Sequence, residues 1–464
     1  MKTKNVLICL DRLGIGGVET FVYNQSLTLK SKGYNIIILS SDGIYRKKLE
    51  EQGIKWIEFN FEAKDYLQYE KINQIVEIMK TYEITEVHVN QLPEVNYIYP
   101  ACLIENIPYV AYLHFQSGAI QNNENNVYDY FEKNYSTYKE RLKVFWKYAY
   151  KIVAITKEVR DYTIQRYNLQ KEKCIVIPNS INFLNFESVR SVTKMEKIVL
   201  VSRLDSEKET SILNGIKLYK ELRKYTENIR LTVVGDGNIR KKIEQDIAGK
   251  DDITFVGPTT NVKKYLEEAD LVIGVDRCMI EAIAMKRLAV VSGYEYMGQI
   301  ITSKCIGTEI DENFCGKSLG PTSIEQLAKE LSNLDMEKIR EIVEENYNEI
   351  CNRLDINKNM YCVDNDEFES NIRMEDLLKE FIKMDNILGK KEEDSKQNIE
   401  KIWQDHVLYK EWMEKEVNVL KESNLELEEK NKQTEEEIQR MKDEIQNSKL
   451  YKIKEKLFWK KMKR

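Results

Sequence analysis

The residues of this sequence best suited to chemistry are Arg203, Lys208 and Glu281. Arg203 follows the apolar run at 198–201, and Lys208 comes five residues later, at or just before the next helix. Two cations at the mouth of a sheet, beside a helix N-terminus, make a diphosphate clamp, although a solvated loop carries such charges as well. Glu281 lies in ADLVIGVDRCMIEAIAMKRLAVVSG, residues 269–293. That stretch reads as a buried strand at 271–273, a short loop at 274–278, a helix opening near Met279 with Glu281 in its first turn, and a second strand at 288–291. The unpaired N–H groups and positive dipole end of such a helix suit a phosphate. His114 ends another strand, where ligands of parallel sheets bind. Its ring could act on a hydroxyl or a phosphate, or could simply hold a loop by hydrogen bonding. In DRLGIGGVET, residues 11–20, glycines 14, 16 and 17 let the backbone turn sharply and approach a ligand closely, or make a tight turn with none. Gly235 and Gly257 close two further strands.

These residues need a scaffold that brings strand ends together, and the chain supplies one. Apolar runs at 5–10, 35–40, 84–90, 109–114, 152–155 and 174–177 alternate with helical stretches, one of them at 18–32 closed by Gly33. A second alternation starts at Lys197, with strands at 198–201, 230–234 and 253–256 and helices at 239–248 and 262–268. Both read as doubly wound parallel sheets. Residues 183–195 look like the linker between them, and 120–136 like an irregular surface excursion. Length agrees, because 464 residues suggest two or three domains at about 150 each.

Composition narrows the partners. A net charge of −6 gives no reason to expect nucleic acid. Eight scattered cysteines without a C-x-x-C pair, and only three histidines, argue against a zinc site and for reduced thiols in a cytoplasmic protein. No apolar run approaches the ~18 residues that span a bilayer. The run at 6–10 ends at Asp11, so it reads as a first strand and not as a signal peptide.

Taken together, these stretches resemble the retaining glycosyltransferases of GT-B fold, family 4 type, over roughly residues 1–350. The carriers are G-G-V-E (Gly16 to Glu19), I-P-N-S (Ile177 to Ser180), V-S-R-L-D-S-E-K (Val201 to Lys208), V-V-G-D-G (Val233 to Gly237), F-V-G (Phe255 to Gly257), E-A-I-A-M (Glu281 to Met285) and E-E-N-Y-N (Glu344 to Asn348). The resemblance implies an α/β protein of two Rossmann-like lobes. Residues 1–190 would form an acceptor-side lobe and 195–335 a nucleotide-sugar lobe, with a helix at 336–350 crossing back to the first lobe. It further implies that Arg203 and Lys208 hold the diphosphate and stabilise the leaving group, that Glu281 binds the ribose, and that Gly16 and Gly17 line the cleft; by their places at strand ends His114 is counted with the catalytic candidates and Gly235 and Gly257 with the donor-binding ones. No metal or other cofactor is expected.

One departure stands out. The family usually carries two glutamates eight residues apart, the first followed by a Gly-x-Gly turn that touches the sugar. Eight residues before Glu281 stands Ile273, and a shorter loop follows, Gly274-Val275-Asp276-Arg277-Cys278. Asp276 could replace the missing carboxylate against sugar hydroxyls and Arg277 could add a phosphate contact, or this lobe could have lost donor-sugar binding.

The last hundred or so residues differ in kind. Residues 370–388 pattern as a short amphipathic helix. Within 390–448 a 4–3 spacing runs through Met413, Val417, Leu420, Asn424, Leu427, Asn431, Thr434, Ile438, Met441 and Ile445, the seam of a coiled coil. Asn424 and Asn431 at a-type positions suit a parallel homodimer; a single solvated helix is the other reading. Residues 450–464, LYKIKEKLFWKKMKR, carry seven basic residues and one acidic and suit an anionic membrane surface or a solvated tail.

The expectation is a metal-independent glycosyltransferase, cytoplasmic and peripheral to the inner face of the cell membrane. It would move a sugar, with retention, from a nucleotide-diphosphate donor to a glycan or lipid-linked acceptor in surface polysaccharide assembly. The alternative is a non-catalytic GT-B scaffold that stabilises a partner glycosyltransferase. A nucleotide-sugar epimerase of the same fold is a weaker third.

Overall fold

The computed structural model describes residues 4–62, 68–91, 95–114, 132–134, 138–186, 190, 192, 194–246, 252–361 and 363, with residues 430, 432, 440 and 443 besides. The amphipathic helix expected at 370–388, all but those four residues of the coiled coil at 390–448, the tail at 450–464, most of the excursion at 120–136 and the four residues after His114 lie outside these. The chain separates into a unit of residues 1–390 and one of 391–464, and the first holds all that follows.

Two sheets organise the first unit. One has seven parallel strands in the order β3-β2-β1-β4-β5-β6-β7, formed by β1 Asn5–Arg12, β2 Asn35–Ser41, β3 Lys55–Glu58, β4 Glu86–Val89, β5 Tyr109–Leu113, β6 Lys151–Ala154 and β7 Cys174–Val176. The other has six in the order β10-β9-β8-β11-β12-β13, formed by β8 Lys197–Val201, β9 Arg230–Val234, β10 Ile253–Gly257, β11 Leu271–Gly274, β12 Leu288–Ser292 and β13 Met297–Ile300. The central strands are buried along nearly their whole length, the composition a parallel sheet demands when helices cover both faces. The exception to parallel pairing is β13, which runs antiparallel to β12 along an edge and has no counterpart in the sequence reading.

Strand order sets where a ligand can sit. It reverses between β1 and β4 in the first sheet and between β8 and β11 in the second, and the crevice of an open α/β sheet lies at the carboxyl ends there. Helix α1 (Gly17–Ser31) follows β1, and α2 (Tyr45–Glu51) follows β2. Next come α3 (Tyr69–Thr81), α4 (Val95–Glu105), α5 (Tyr138–Tyr148) and α6 (Lys157–Tyr167). In the second lobe α7 (Glu209–Leu222) follows β8, then α8 (Arg240–Asp246), α9 (Val262–Glu268) and α10 (Arg277–Ala284), which follows β11. The remaining helices are α11 (Ile306–Asp311), α12 (Ile324–Asn333) and α13 (Met336–Arg353).

Two expectations need correction. Helix α10 opens at Arg277 and not near Met279, so Glu281 is its fifth residue and lies past the first turn. The i,i+4 pair of Arg277 with Glu281 spans this added turn and supports it. The connecting loop is correspondingly just Val275-Asp276. Helix α13 lies against α10, α11 and β12, with Asn346 Nδ2 donating to the Ile301 carbonyl at 2.7 Å. Tyr347 of α13 also stands edge-on to Phe183, with ring centroids 6.0 Å apart, and beyond the helix Val363 N–H donates to Glu86 Oε1 at 3.2 Å and Lys4 Nζ donates to the Val363 carbonyl at 2.6 Å.

Candidate active site

At the switch point of the second sheet, β8 ends at Val201 and leads into Ser202 and Arg203. The Ser202 N–H donates to the Val234 carbonyl at 3.1 Å and the Leu204 N–H to the Asp236 carbonyl at 2.9 Å, so the strand end is tied to its neighbour. Gly235 makes that approach possible. Its φ is +138°, and a Cβ there would lie 1.8 Å from the Ser202 carbonyl oxygen. Gly257, at the end of β10, likewise has a positive φ of +86°.

Beyond this turn the two expected cations part. Arg203 stays half exposed at the rim and pairs with Asp205 at 3.2 Å and with Glu207. Lys208 ends a 3-10 turn, Ser206–Lys208, and is 7% exposed. Its ammonium donates to Asp276 Oδ2 at 3.0 Å, and the Tyr294 hydroxyl donates to the same oxygen at 2.6 Å. The Lys208 Nζ also stands 5.6 Å from the centre of the Tyr294 ring.

Asp276 occupies a backbone conformation that side chains avoid, with φ 65° and ψ −140°. It stands at the N-cap of α10, yet its side chain makes no capping bond and reaches Lys208 and Tyr294 instead. Counted back from Glu281, Gly274 and Asp276 fall on the two glycine positions of the family's Gly-x-Gly turn. Next in the chain, Arg277 is buried, donates to Glu281 Oε1 at 3.0 Å and reaches the Ser180 carbonyl at 3.4 Å. Arg277 Nη2 has no hydrogen-bond partner among the described residues. Burial raises the Glu281 pKa, and Arg277 opposes that rise.

Groups of the first lobe face this cluster. Glu19, in the first turn of α1, has its pKa raised by burial, while its own backbone N–H, Arg203 and Arg12 pull it down. Tyr45 bonds Thr20 Oγ1 at 3.0 Å and feels both Glu281 and Arg277. His114 follows β5 directly, with its Nε2 3.0 Å from Asn90 Oδ1. Asn90 Nδ2 donates to the Cys9 carbonyl at 3.1 Å, so its oxygen must accept and His114 Nε2 must carry the proton. Burial, and then the charge of Arg277, lower the His114 pKa to about 3. The ring clusters with Phe21 and Tyr112, with centroids at 4.7 and 6.0 Å.

Gly16 and Gly17 sit beside Glu19, but not for the expected reason. Gly16 is extended at φ −177°, and neither glycine adopts a positive φ. A Cβ on Gly16 would meet the flexible Glu19 carboxylate, and one on Gly17 would meet nothing within 4 Å. The space over Gly17 is open, and the turn does not itself require glycine.

Sequence reasoning missed a segment that links the two lobes. The Asp276 N–H donates to the Phe314 carbonyl at 3.0 Å. Asn179 Nδ2 donates to Asn313 Oδ1 at 2.7 Å, and Lys317 pairs with Glu158 of α6 at 3.0 Å. Asn313, Phe314 and Gly316 all have positive φ. Under this turn lies Glu309 of α11, fully buried, whose Oε2 accepts the Gly316 N–H at 3.2 Å. No motif marks these residues. Tyr294 had a signal, since it lies two residues past β12 and so at a carboxyl strand end. Among the described residues no group of three or more His, Cys, Asp or Glu could hold a metal ion, and no helix is long and apolar enough to cross a membrane.

Comparison with known proteins adds the following. The family model "Glycosyltransferase Family 4" matches residues 15–183, and "Glycosyl transferases group 1" matches residues 196–334. No curated protein sequence matches the chain. Among solved structures, a glycosyltransferase from Rickettsia africae is similar at 18% identity and a TM-score of 0.57, over 77% of this chain and 96% of that one. Anabaena HepE, solved in complex with UDP, is similar at 16% identity and a TM-score of 0.56, over 76% and 96%. A TarM variant from S. aureus, solved with Fondaparinux, alpha-GlcNAc-glycerol and UDP, is similar at 12% identity and a TM-score of 0.56, over 82% and 99%. At these identities the likeness concerns the fold.

Proposed function

The chain belongs to the GT-B glycosyltransferases of family 4 type, and from that premise we propose that it transfers a sugar, with retention and without a metal, from a nucleotide-diphosphate donor to a glycan or lipid-linked acceptor in surface polysaccharide assembly. The observation that carries this reading is the buried Lys208 at the switch point of the second sheet, held 3.0 Å from Asp276 at the N-terminus of α10, the helix that carries Glu281. Donor cleavage leaves negative charge on the terminal phosphate. Lys208 and the N–H groups that open α10 oppose that charge where little water competes, which is where electrostatic stabilisation is strongest, and Arg203 adds its charge from the exposed rim. Glu281 would take the ribose hydroxyls, and Gly235 and Gly257 let the backbone come close to the nucleotide. On the other lobe, His114 and Glu19 with the open surface of Gly17 would receive the acceptor. His114 is neutral at physiological pH and offers the acceptor a hydrogen bond and not a charge. HepE and TarM were solved with UDP, which makes a uridine diphosphate sugar the first donor to try. The coil at 390–448 would pair two copies, and the tail at 450–464 would hold them at the inner membrane face.

One observation favours a second reading, a non-catalytic scaffold for another glycosyltransferase. Ile273 is buried in β11 where the family has a glutamate, and Arg203, Lys208 and Arg277 each already have a carboxylate partner. Calorimetry with UDP, GDP and ADP sugars separates the two, using the wild type, Arg203→Ala, and Arg203→Ala with Lys208→Ala. Arg203 is exposed, so the single variant keeps the fold. Binding in the micromolar range that weakens in the single variant and vanishes in the double one, with slow release of free sugar, supports the enzyme. Binding of no nucleotide by the folded wild type supports the scaffold.

A further inference from the structure

Asp276 is an unusual residue to find beside a phosphate-binding lysine. It brings a negative charge within 3.0 Å of the Lys208 ammonium. It does so from a backbone geometry that glycine adopts freely and aspartate does not, and from a register position where the family turn has glycine. Strain of this kind persists only where the surroundings over-determine it. Here the surroundings are the Tyr294 hydroxyl at 2.6 Å and the Phe314 carbonyl that takes the Asp276 N–H at 3.0 Å. The side chain does not cap α10, so helix stability does not account for it. Both charges are nearly buried, at 7% exposure for Lys208 and 8% for Asp276, so their attraction and any repulsion from a third charge are weakly screened.

Building on the donor-binding reading, we infer that Asp276 is a resident competing anion: a positioning residue that holds Lys208 ready, that an arriving diphosphate must displace from it, and that drives the nucleoside diphosphate product out after transfer. Two phosphate groups and a carboxylate cannot share one ammonium without like-charge repulsion. Displacement is local, because Tyr294 can keep its hydrogen bond to Asp276 while Lys208 swings to the phosphate. The consequence is a deliberately weak grip on the diphosphate. The sugar and the ribose must then supply discrimination, and product release is fast. Tyr294 sets how far the carboxylate can retreat.

The test is UDP and GDP binding by calorimetry to the full chain, wild type against Asp276→Asn and Asp276→Gly. Asparagine keeps the shape and the Tyr294 contact, and glycine is the residue whose backbone suits this turn, so at least one variant folds. Both are expected to bind the preferred diphosphate about tenfold tighter, as removal of one like charge at close range in a poorly screened site predicts. Stopped-flow release of that diphosphate should slow in proportion. A residue that only supported the fold would show the opposite sign, because its loss weakens binding. Equal or weaker binding by a variant with native circular dichroism overturns the inference and leaves the donor reading intact. Failure of wild type and both folded variants to bind any diphosphate overturns the donor reading itself, and this inference with it.

Discussion

Replacing Glu309 by glutamine probes the turn that supports Asp276. Glu309 is fully buried; Oε2 accepts the Gly316 N–H, and Oε1 has no hydrogen-bond partner among the described residues. Burial first, and the like charge of Glu312 second, raise its pKa from 4.5 to about 7. A carboxyl with a raised pKa holds its proton more tightly in the fold than in the unfolded chain. Its contribution to stability is therefore complete below pH 4.5 and is lost as the pH rises through about 7. At ~1.4 kcal/mol per pH unit, the gap between 4.5 and about 7 corresponds to about 3 kcal/mol. Glutamine cannot ionise, and its carbonyl can still accept from Gly316. Its NH2 would point where Oε1 lacks a partner, at a cost of about 1 kcal/mol. The Glu309→Gln protein should thus lack this slope and be about 2 kcal/mol more stable than wild type above neutrality. The assay is urea unfolding from about pH 4.5 to about pH 8.5. Circular dichroism is the proper signal, because residues 197–353 contain no tryptophan. Parallel stability profiles for the two proteins would refute the reasoning. They would mean that Glu309 is ionised in the fold and that the turn over it rests on something else.

Two further outcomes are expected. Gly235→Ala should cost more than about 3 kcal/mol or abolish soluble expression, since its Cβ would meet the Ser202 carbonyl at 1.8 Å, whereas Gly17→Ala should be neutral or stabilising by up to about 1 kcal/mol; thermal unfolding of the pair checks the contrast. With its pKa near 3, His114 should contribute no titration near pH 6.5, so His114→Gln should lower turnover without changing the shape of the pH–rate profile. A limb near that pH present in wild type and absent in the variant would overturn the neutral role.

The alternation of buried strands and helices was legible in the sequence because a strand covered on both faces needs a short continuous apolar run, and 271–274 and 288–292 are such runs. The ends of those runs located Arg203, Lys208, His114, Gly235 and Gly257 by the same logic, since parallel strands deliver ligand groups at their carboxyl ends. The family resemblance, and not local chemistry, marked Ile273 as a departure. What the sequence could not decide was the pairing. Lys208 and Asp276 are 68 residues apart, and Arg277 and Ser180 are 97 apart. The first contact exists because strand order puts β8 beside β11, and the second because the chain after β7 meets the second lobe, as Asn179 also does at Asn313. The glycines show the same division. A glycine at 16 or 17 looked like a backbone requirement, and only the φ angles and the space around each position showed that Gly235 is one and Gly17 is not. At 313–317 Asn313 and Gly316 suit a turn, but nothing local showed what it meets, because its partners, Asn179 and Asp276, are distant in sequence. Residue type and spacing therefore determined which elements form and which ends carry charge. The tertiary structure decided which charges meet, because burial and distance set the strength of each pair and neither is a local property of the chain.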